Sequence, residues 1–248
     1  AQDQVVFFDT SFLPLIEALH AQCPTVKHWI CMTDAGNMPQ SSSVKLECYE
    51  TLLAQESGEY EWPSFDERAA SSLCYTSGTT GNPKGALYSH RSTILHSYAV
   101  ALPDSLGITA KESIMPVVPM FHVNAWGLPY ACPLAGARIV FPGPKLDGAS
   151  LCQLIEQESV TMSAGVPTIW AGLIEHAIAN KLTFTTFKRT VIGGSTCPPA
   201  MIRAFEKKGI EVIHAWGMTE LSPVGSVAKL KQKDLSKSKA EQEQILAK

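Results

Sequence analysis

Short apolar runs and stretches of helical periodicity alternate along this chain, separated by segments rich in Ser, Gly and Pro. Val5-Val6-Phe7-Phe8 has the length and character of a strand. Phe12 to Ala21 places Leu15, Ile16 and Leu19 on one helical face, with Thr10 or Ser11 as N-cap and Pro14 tolerated in the first turn. Val26 to Met32 predicts the next strand. Residues 33 to 66 are rich in Ser, Gly, Pro and acids and predict mostly connection, with a short helix over Glu50 to Gln55. Ser72 to Tyr75 predicts a strand delivering a Gly-rich loop and Ser89 to Val100 a helix leaving it, an order that suits a phosphate site in a parallel sheet.

Further along, apolar runs over Ile114 to Val118, Ala137 to Phe141, Val160 to Ala164, Arg189 to Ile192 and Glu211 to His214 predict strands. They alternate with helical patterns over Leu151 to Glu158, Pro167 to Asn180 and Pro198 to Lys208. Strands that alternate with helices need crossover connections, so the predicted fold is α/β and layered, with mainly parallel sheets and crossover helices. No internal repeat is visible. From Lys229 to Lys248 the composition turns to Lys, Gln, Glu and Ser, and Ser238-Lys239-Ala240-Glu241 fits a capping box opening a surface helix.

With 248 residues, 45% hydrophobic and 17% charged, the chain can bury a full core in one large or two small domains. A net charge of −3 gives no basic field, which argues against nucleic acid as a partner. The apolar stretch Ile114 to Val118 is interrupted by Pro116, bounded by Pro119 and far too short to span a membrane. Seven cysteines (Cys23, Cys31, Cys48, Cys74, Cys132, Cys152 and Cys197) form an odd set without a Cys-x-x-Cys pair, read as reduced thiols of a cytoplasmic protein. The chain opens without Met and without a secretory leader, and is expected to be an excised piece or a processed product.

The densest chemistry lies in Tyr75-Thr76-Ser77-Gly78-Thr79-Thr80-Gly81-Asn82-Pro83-Lys84-Gly85. Four aliphatic hydroxyls, three glycines and one cation follow directly on an apolar run. Glycines let successive N–H groups converge, hydroxyls add donors without charge, and Lys84 supplies a point charge, a combination suited to polyphosphate. Pro83, Lys84 and Gly85 replace the Gly-Lys-Ser/Thr that a Walker A loop needs, so this is a different phosphate device. A flexible linker is the plain alternative, against which the Pro-Lys-Gly end and the apolar lead-in both argue.

A second segment, His214-Ala215-Trp216-Gly217-Met218-Thr219-Glu220, follows a predicted strand and combines a purine-stacking aromatic, a glycine, a hydroxyl and a carboxylate able to hold Mg²⁺. Val191-Ile192-Gly193-Gly194-Ser195 follows another strand and reads either as a nucleotide turn or as ordinary strand-end punctuation. Pro119-Met120-Phe121-His122-Val123-Asn124-Ala125-Trp126-Gly127 embeds an imidazole, an amide and an indole in apolar sequence, as a pocket with a polar mouth would, although a core histidine fits too.

Taken in order, these segments resemble the adenylate-forming superfamily of acyl-CoA synthetases, luciferases and peptide-synthetase adenylation domains. Val117 to Pro129 and Val191 to Glu220 are most similar to the medium- and long-chain fatty-acyl-CoA synthetase branch, which includes methylmercaptopropionate-CoA ligases. The resemblance implies an ATP/AMP site built from Thr76, Ser77, Gly78, Thr79, Thr80, Gly81, Lys84, Gly194, Ser195, His214, Ala215, Trp216, Gly217, Met218 and Thr219. It gives catalytic roles to Thr76, Lys84, Thr219 and Glu220, Mg²⁺ ligation to Thr76 and Glu220, and acyl-substrate contact to His122 and Trp126. The implied reaction converts a fatty or short thioether acid to acyl-AMP with ATP and then to acyl-CoA with coenzyme A. It allows a homodimer. By the same resemblance residues 1–228 correspond to part of the large N-terminal AMP-binding domain, 229–248 to a surface helix or connection, and the C-terminal domain with its lysine is expected to be absent. An amino-acid or aryl-acid adenylating enzyme and a noncatalytic nucleotide-binding module remain as rivals.

Overall fold

The computed structural model describes residues 2–76 and 81–246, and the chain divides into two units, Ala1–Ser64 and Phe65–Lys248. In the first, β1 (Val5–Phe8), α1 (Leu13–Leu19), β2 (His28–Cys31), β3 (Leu46–Cys48) and α2 (Tyr49–Leu53) follow in order. The three strands pair in parallel as β1-β2-β3, and Phe8, Ile16, Trp29, Cys31 and Val44 form their core. Asp9, rather than Thr10 or Ser11, caps the turn before α1, accepting the Ser11 N–H at 2.9 Å. A carboxylate is as good an N-cap as a hydroxyl and adds charge at the dipole's positive end. The expected connection from 33 to 66 therefore contains a third strand, β3, too short to carry a periodic signal.

The second unit contains β4 (Ala70–Thr76), β5 (Lys84–Ser89), α3 (His90–Ala101), β6 (Ser113–Pro116), α4 (Val123–Trp126), α5 (Leu128–Ala135) and β7 (Arg138–Ile139). It continues with α6 (Gly148–Gln157), β8 (Met162–Gly165), α7 (Pro167–Ala179), β9 (Arg189–Ile192), α8 (Pro199–Glu206), β10 (Glu211–Gly217), β11 (Val224–Val227) and α9 (Lys239–Leu246). Its main sheet has the order β11-β10-β9-β8-β6-β7, parallel throughout except for β11, which returns antiparallel to β10. The α/β, mainly parallel architecture is as expected from the alternation of apolar runs and helical patterns.

Both faces of that sheet are covered, so its strands read as continuous apolar runs rather than alternating ones. Met115 and Ile192 point to a layer formed by α6, α7 and α8, where Leu151, Ile155, Trp170, Leu173 and Phe205 are buried. Their neighbours Ile114 and Val191 point to the opposite layer, formed by α3 and α5 with Val100, Leu128, Ala131 and Cys132. Each fully buried large side chain contributes about 1.5–3 kcal/mol.

Two helix ends follow sequence rules closely. Ser89 caps α3 in a capping box with Ser92, and Ser238 caps α9 with the Glu241 carboxylate 3.0 Å from its N–H. The first such cap stabilises α3 by about 1 kcal/mol. Among the described residues, no helix is long and apolar enough to cross a membrane.

Candidate active site

Contrary to the expectation from sequence, the Gly-rich segment does not link a strand to a helix of a parallel sheet. β4 and β5 form a separate antiparallel hairpin in which Thr76 pairs with Lys84, and α3 leaves only after β5. Lys84–Ser89 alternates, with Ala86 and Tyr88 inward and Leu87 exposed, a period-two pattern hidden by its two polar ends. Ser77, Gly78, Thr79 and Thr80 lie outside the described residues. On either side of them Thr76 is half-buried, its hydroxyl donating to the Lys84 carbonyl at 3.4 Å, and Gly81 and Lys84 are exposed.

The hairpin runs beside the 219–221 turn that follows β10. The buried Tyr88 hydroxyl donates to the Thr219 carbonyl across this junction. Burial, the Cys74 thiol and the Glu220 carboxylate together push the Tyr88 phenol up to about 12, so it remains a donor at neutral pH. Glu220 is exposed, and its charge is felt at Tyr88.

β10 runs through the second chemical segment instead of ending before it. Ala215, on the α3/α5 face, lines a cavity, whereas His214 lies on the opposite face beside Val212 by strand alternation. At Gly217 a side chain is impossible, since a Cβ would stand 2.2 Å from the Pro223 carbonyl oxygen. Trp216 is 57% exposed and its ring lies over Gly225 of β11, leaving much of the indole free for a partner.

The cavity, of about 250 Å³, is bounded at its polar end by His122, Trp216, Met218 and Thr219. Leu106, Leu128, Ala164, Val191 and Val224 supply its apolar wall. Trp126 also lines it, its ring against Gly193 and Gly194. The indole therefore borders the Gly193–Gly194 turn and shares the cavity with Ala215 to Thr219. Ser195 is exposed beyond this turn, and Thr76, Lys84, Glu220 and His214 are outside the cavity lining.

Trp126 is presented by an unusual backbone. Val123, Asn124, Ala125 and Trp126 all have φ between 45° and 57°, so α4 winds left-handed before Gly127 at 77°. Each such non-glycine residue costs about 1–2 kcal/mol, which persists only where the surroundings dictate it. Here Val123 and Ala125 are buried, and the Asn124 amide donates to the Ser72 hydroxyl at 3.0 Å.

Two polar residues at this site were not singled out from sequence. Tyr88 is marked only by the alternation of β5. His96 is buried on α3 one turn before Val100, packs against Gly127, and accepts the Val224 N–H on Nε2 at 3.4 Å. Burial pushes its pKa down to about 4, so the ring is neutral at pH 7. The seven cysteines are free thiols, and burial raises Cys132 to about 12 and Cys152 and Cys197 to about 11, which makes them poor nucleophiles.

Among the described residues, no group of three or more His, Cys, Asp and Glu could hold a metal. Thr76 and Glu220 still offer hard oxygen donors, and Mg²⁺ needs only one or two carboxylates when phosphates and water complete its shell.

The cavity lies at the C-terminal ends of parallel strands, where open α/β sheets bind their ligands. Residues 2–243 match the AMP-binding enzyme family, and the chain belongs to it. It is 52% identical over 227 residues to the 3-methylmercaptopropionyl-CoA ligase of Ruegeria lacuscaerulensis, an alignment covering 91% of this chain and 42% of that protein. The same identity and coverage hold for the medium-chain-fatty-acid–CoA ligase of Ectopseudomonas oleovorans. The long-chain-fatty-acid–CoA ligase of Thermus thermophilus is 45% identical over 224 residues, 90% of this chain and 40% of that one. The chain thus spans less than half the length of these relatives. Among solved structures, the anthranilate CoA ligase AuaEII bound to anthranoyl-AMP has a TM-score of 0.80 at 21% identity, covering 92% of this chain and 43% of that one, a likeness of fold.

Proposed function

We propose that the intact protein containing this chain activates a fatty or short thioether carboxylic acid with ATP, and transfers the acyl group to coenzyme A. The observation that carries this reading is the cavity itself, where His122 and Trp126 share walls with Gly194 and with Ala215 to Thr219. Its depth is apolar and, among the described residues, no carboxylate lines it to meet the ammonium group of an amino acid. A hydrocarbon or thioether tail is the better match.

In the proposed reaction a carboxylate oxygen bonds to the α-phosphorus of ATP as the bond to pyrophosphate breaks. The thiol of coenzyme A then forms the C–S bond as AMP leaves with the shared electron pair and the thiol proton passes to solvent. Two anions must meet in the first step, so the site has to offset charge. Lys84 and the N–H groups and hydroxyls around Thr76 to Gly81 would take the phosphates. Mg²⁺ arriving with ATP would be held by Glu220 and Thr76 and would neutralise developing phosphate charge. Trp216 offers an exposed face for the purine, and Thr219, anchored by Tyr88, the contact to the α-phosphate. His122, which is exposed and lines the cavity, would meet the carboxylate, and the Trp126 indole would pack against the acid's apolar chain. No side-chain nucleophile is required, in keeping with the raised thiols.

Within this proposal residues 1–228 belong to the large AMP-binding domain and 229–248 to a surface helix or connection, and the protein acts in the cytoplasm, with a homodimer allowed. The test is exchange of labelled pyrophosphate into ATP by the intact protein. Exchange that depends on an added straight-chain or thioether acid supports the reading. ATP binding without exchange for any acid would identify a nucleotide-binding module instead.

A further inference from the structure

Gly194, Gly193 and Val191 of the β9 strand and its following turn line the cavity, and so does Leu106, only 2% exposed. Leu106 belongs to no helix or strand. It sits in the turn after α3, where the N–H groups of Leu106 and Gly107 bond the Val100 and Leu102 carbonyls at 3.0 and 3.1 Å. The carbonyls of the same two residues face Arg189, the first residue of β9. Its Nη1 donates to Leu106 at 2.7 Å and its Nη2 to Gly107 at 3.3 Å. The Arg189 guanidinium also pairs with Glu112 at 2.6 Å, and the other Glu112 oxygen accepts the Thr161 hydroxyl. Both charged side chains are less than one-fifth exposed, at 19% and 17%. Gly107 has φ +64°, and a Cβ there would stand 3.1 Å from Nη1, so the guanidinium lies directly against the turn.

A planar fork with fixed donors holds two carbonyls at once, which a single ammonium cannot reproduce. Glu112 and Thr161 lock the fork in turn. The device therefore fixes the position of one cavity-lining side chain without touching the cavity. Four residue steps lead from Arg189 to Gly193, roughly 13 Å at about 3.3 Å per residue, so the clamp is far from the reacting carboxylate.

We infer that Arg189 is a specificity-positioning residue, which holds Leu106 as the stop against which the distal end of the acid's apolar chain rests. This rests on the acid-activating reading above. It concerns the length of acid accepted, and leaves the use of ATP to other residues.

The experiment is acid-dependent pyrophosphate exchange by the intact protein with straight-chain acids from propionate to palmitate, for Leu106→Ala, Arg189→Lys, Arg189→Gln and Glu112→Gln. Leu106→Ala moves the preferred acid to longer chains. Arg189→Lys and Arg189→Gln flatten the profile, reducing discrimination between neighbouring lengths about tenfold through KM for the acid, with KM for ATP unchanged. Glu112→Gln removes the charge that pairs with the guanidinium and one of the two acceptor oxygens, and flattens the profile in the same direction but less than the Arg189 variants. A proportional loss for every acid in the Arg189 variants, or a lowered melting temperature with an intact profile, overturns the assignment. Should Arg189→Gln fail to fold, Arg189→Lys and Leu106→Ala decide by the same readout. Exchange with no acid in the unaltered protein would remove the acid-activating reading, and this assignment with it.

Discussion

The Tyr88 hydroxyl donates to the carbonyl oxygen of Thr219, 131 residues away, and so ties the strand after the Gly-rich segment to the turn that carries Glu220. Two segments that must both touch ATP in the proposed reaction are thereby held together before any ligand arrives. Such preorganisation avoids reordering the site during the reaction.

Tyr88→Phe tests that tie. The substitution keeps the ring among Cys74, Val123 and Ala86 but leaves the Thr219 carbonyl without its donor. The expected loss is about 1–2 kcal/mol in urea unfolding, together with slower pyrophosphate exchange. Unchanged stability and exchange would mean that the contact is incidental.

His96 makes stability depend on acid. Its folded pKa, about 4, lies below the ordinary value of 6.5, so between these values the unfolded chain binds a proton that the native one refuses. Stability is therefore retained above pH 6.5 and lost as pH falls from 6.5 through about 4, by on the order of 3 kcal/mol in all. Replacing His96 with Gln, which keeps an acceptor for the Val224 N–H, should flatten this part of the curve of unfolding free energy against pH. An equally steep curve in the variant would assign the acid sensitivity to other groups.

Glu220→Gln should leave the fold intact, because Glu220 is exposed, and should reduce pyrophosphate exchange most at limiting Mg²⁺. Added Mg²⁺ restores part of the rate if the lost charge served the metal. Equal activity at low Mg²⁺ would remove Glu220 from the set of ligands.

Trp126→Ala should alter both the acid profile and KM for ATP, since the indole borders the cavity proposed for the acid and rests on Gly193 and Gly194. In an apolar pocket one methylene is worth about 1–3 kcal/mol, so the acid preference shifts by degrees. Changes confined to either substrate would show that the indole serves only one side of the cavity.

Much of the main sheet was legible because local pattern and tertiary role agree. A strand covered on both faces is a continuous apolar run, as over Ile114, Met115 and Pro116 of β6, and helix starts announce themselves chemically, as at Ser89 and Ser238. β5 was missed because its apolar residues are few, and its pairing with β4 satisfies backbone groups that the sequence cannot reveal. The left-handed turn from Val123 to Trp126 was equally invisible. None of its four residues favours positive φ strongly, and burial together with the Asn124–Ser72 bond imposes it.

By itself, then, the sequence determined the α/β alternation, the chemical segments and their order, since these depend on composition and on neighbours within a few residues. Only the tertiary structure decided that the Gly-rich segment joins two antiparallel strands, that Trp126 leans on the Gly193–Gly194 turn, and that the Arg189 guanidinium bonds the Leu106 carbonyl. Those relationships join residues tens of positions apart through packing and hydrogen bonds. They exist only after the chain has closed, when the alternative partners, chiefly water, have been excluded.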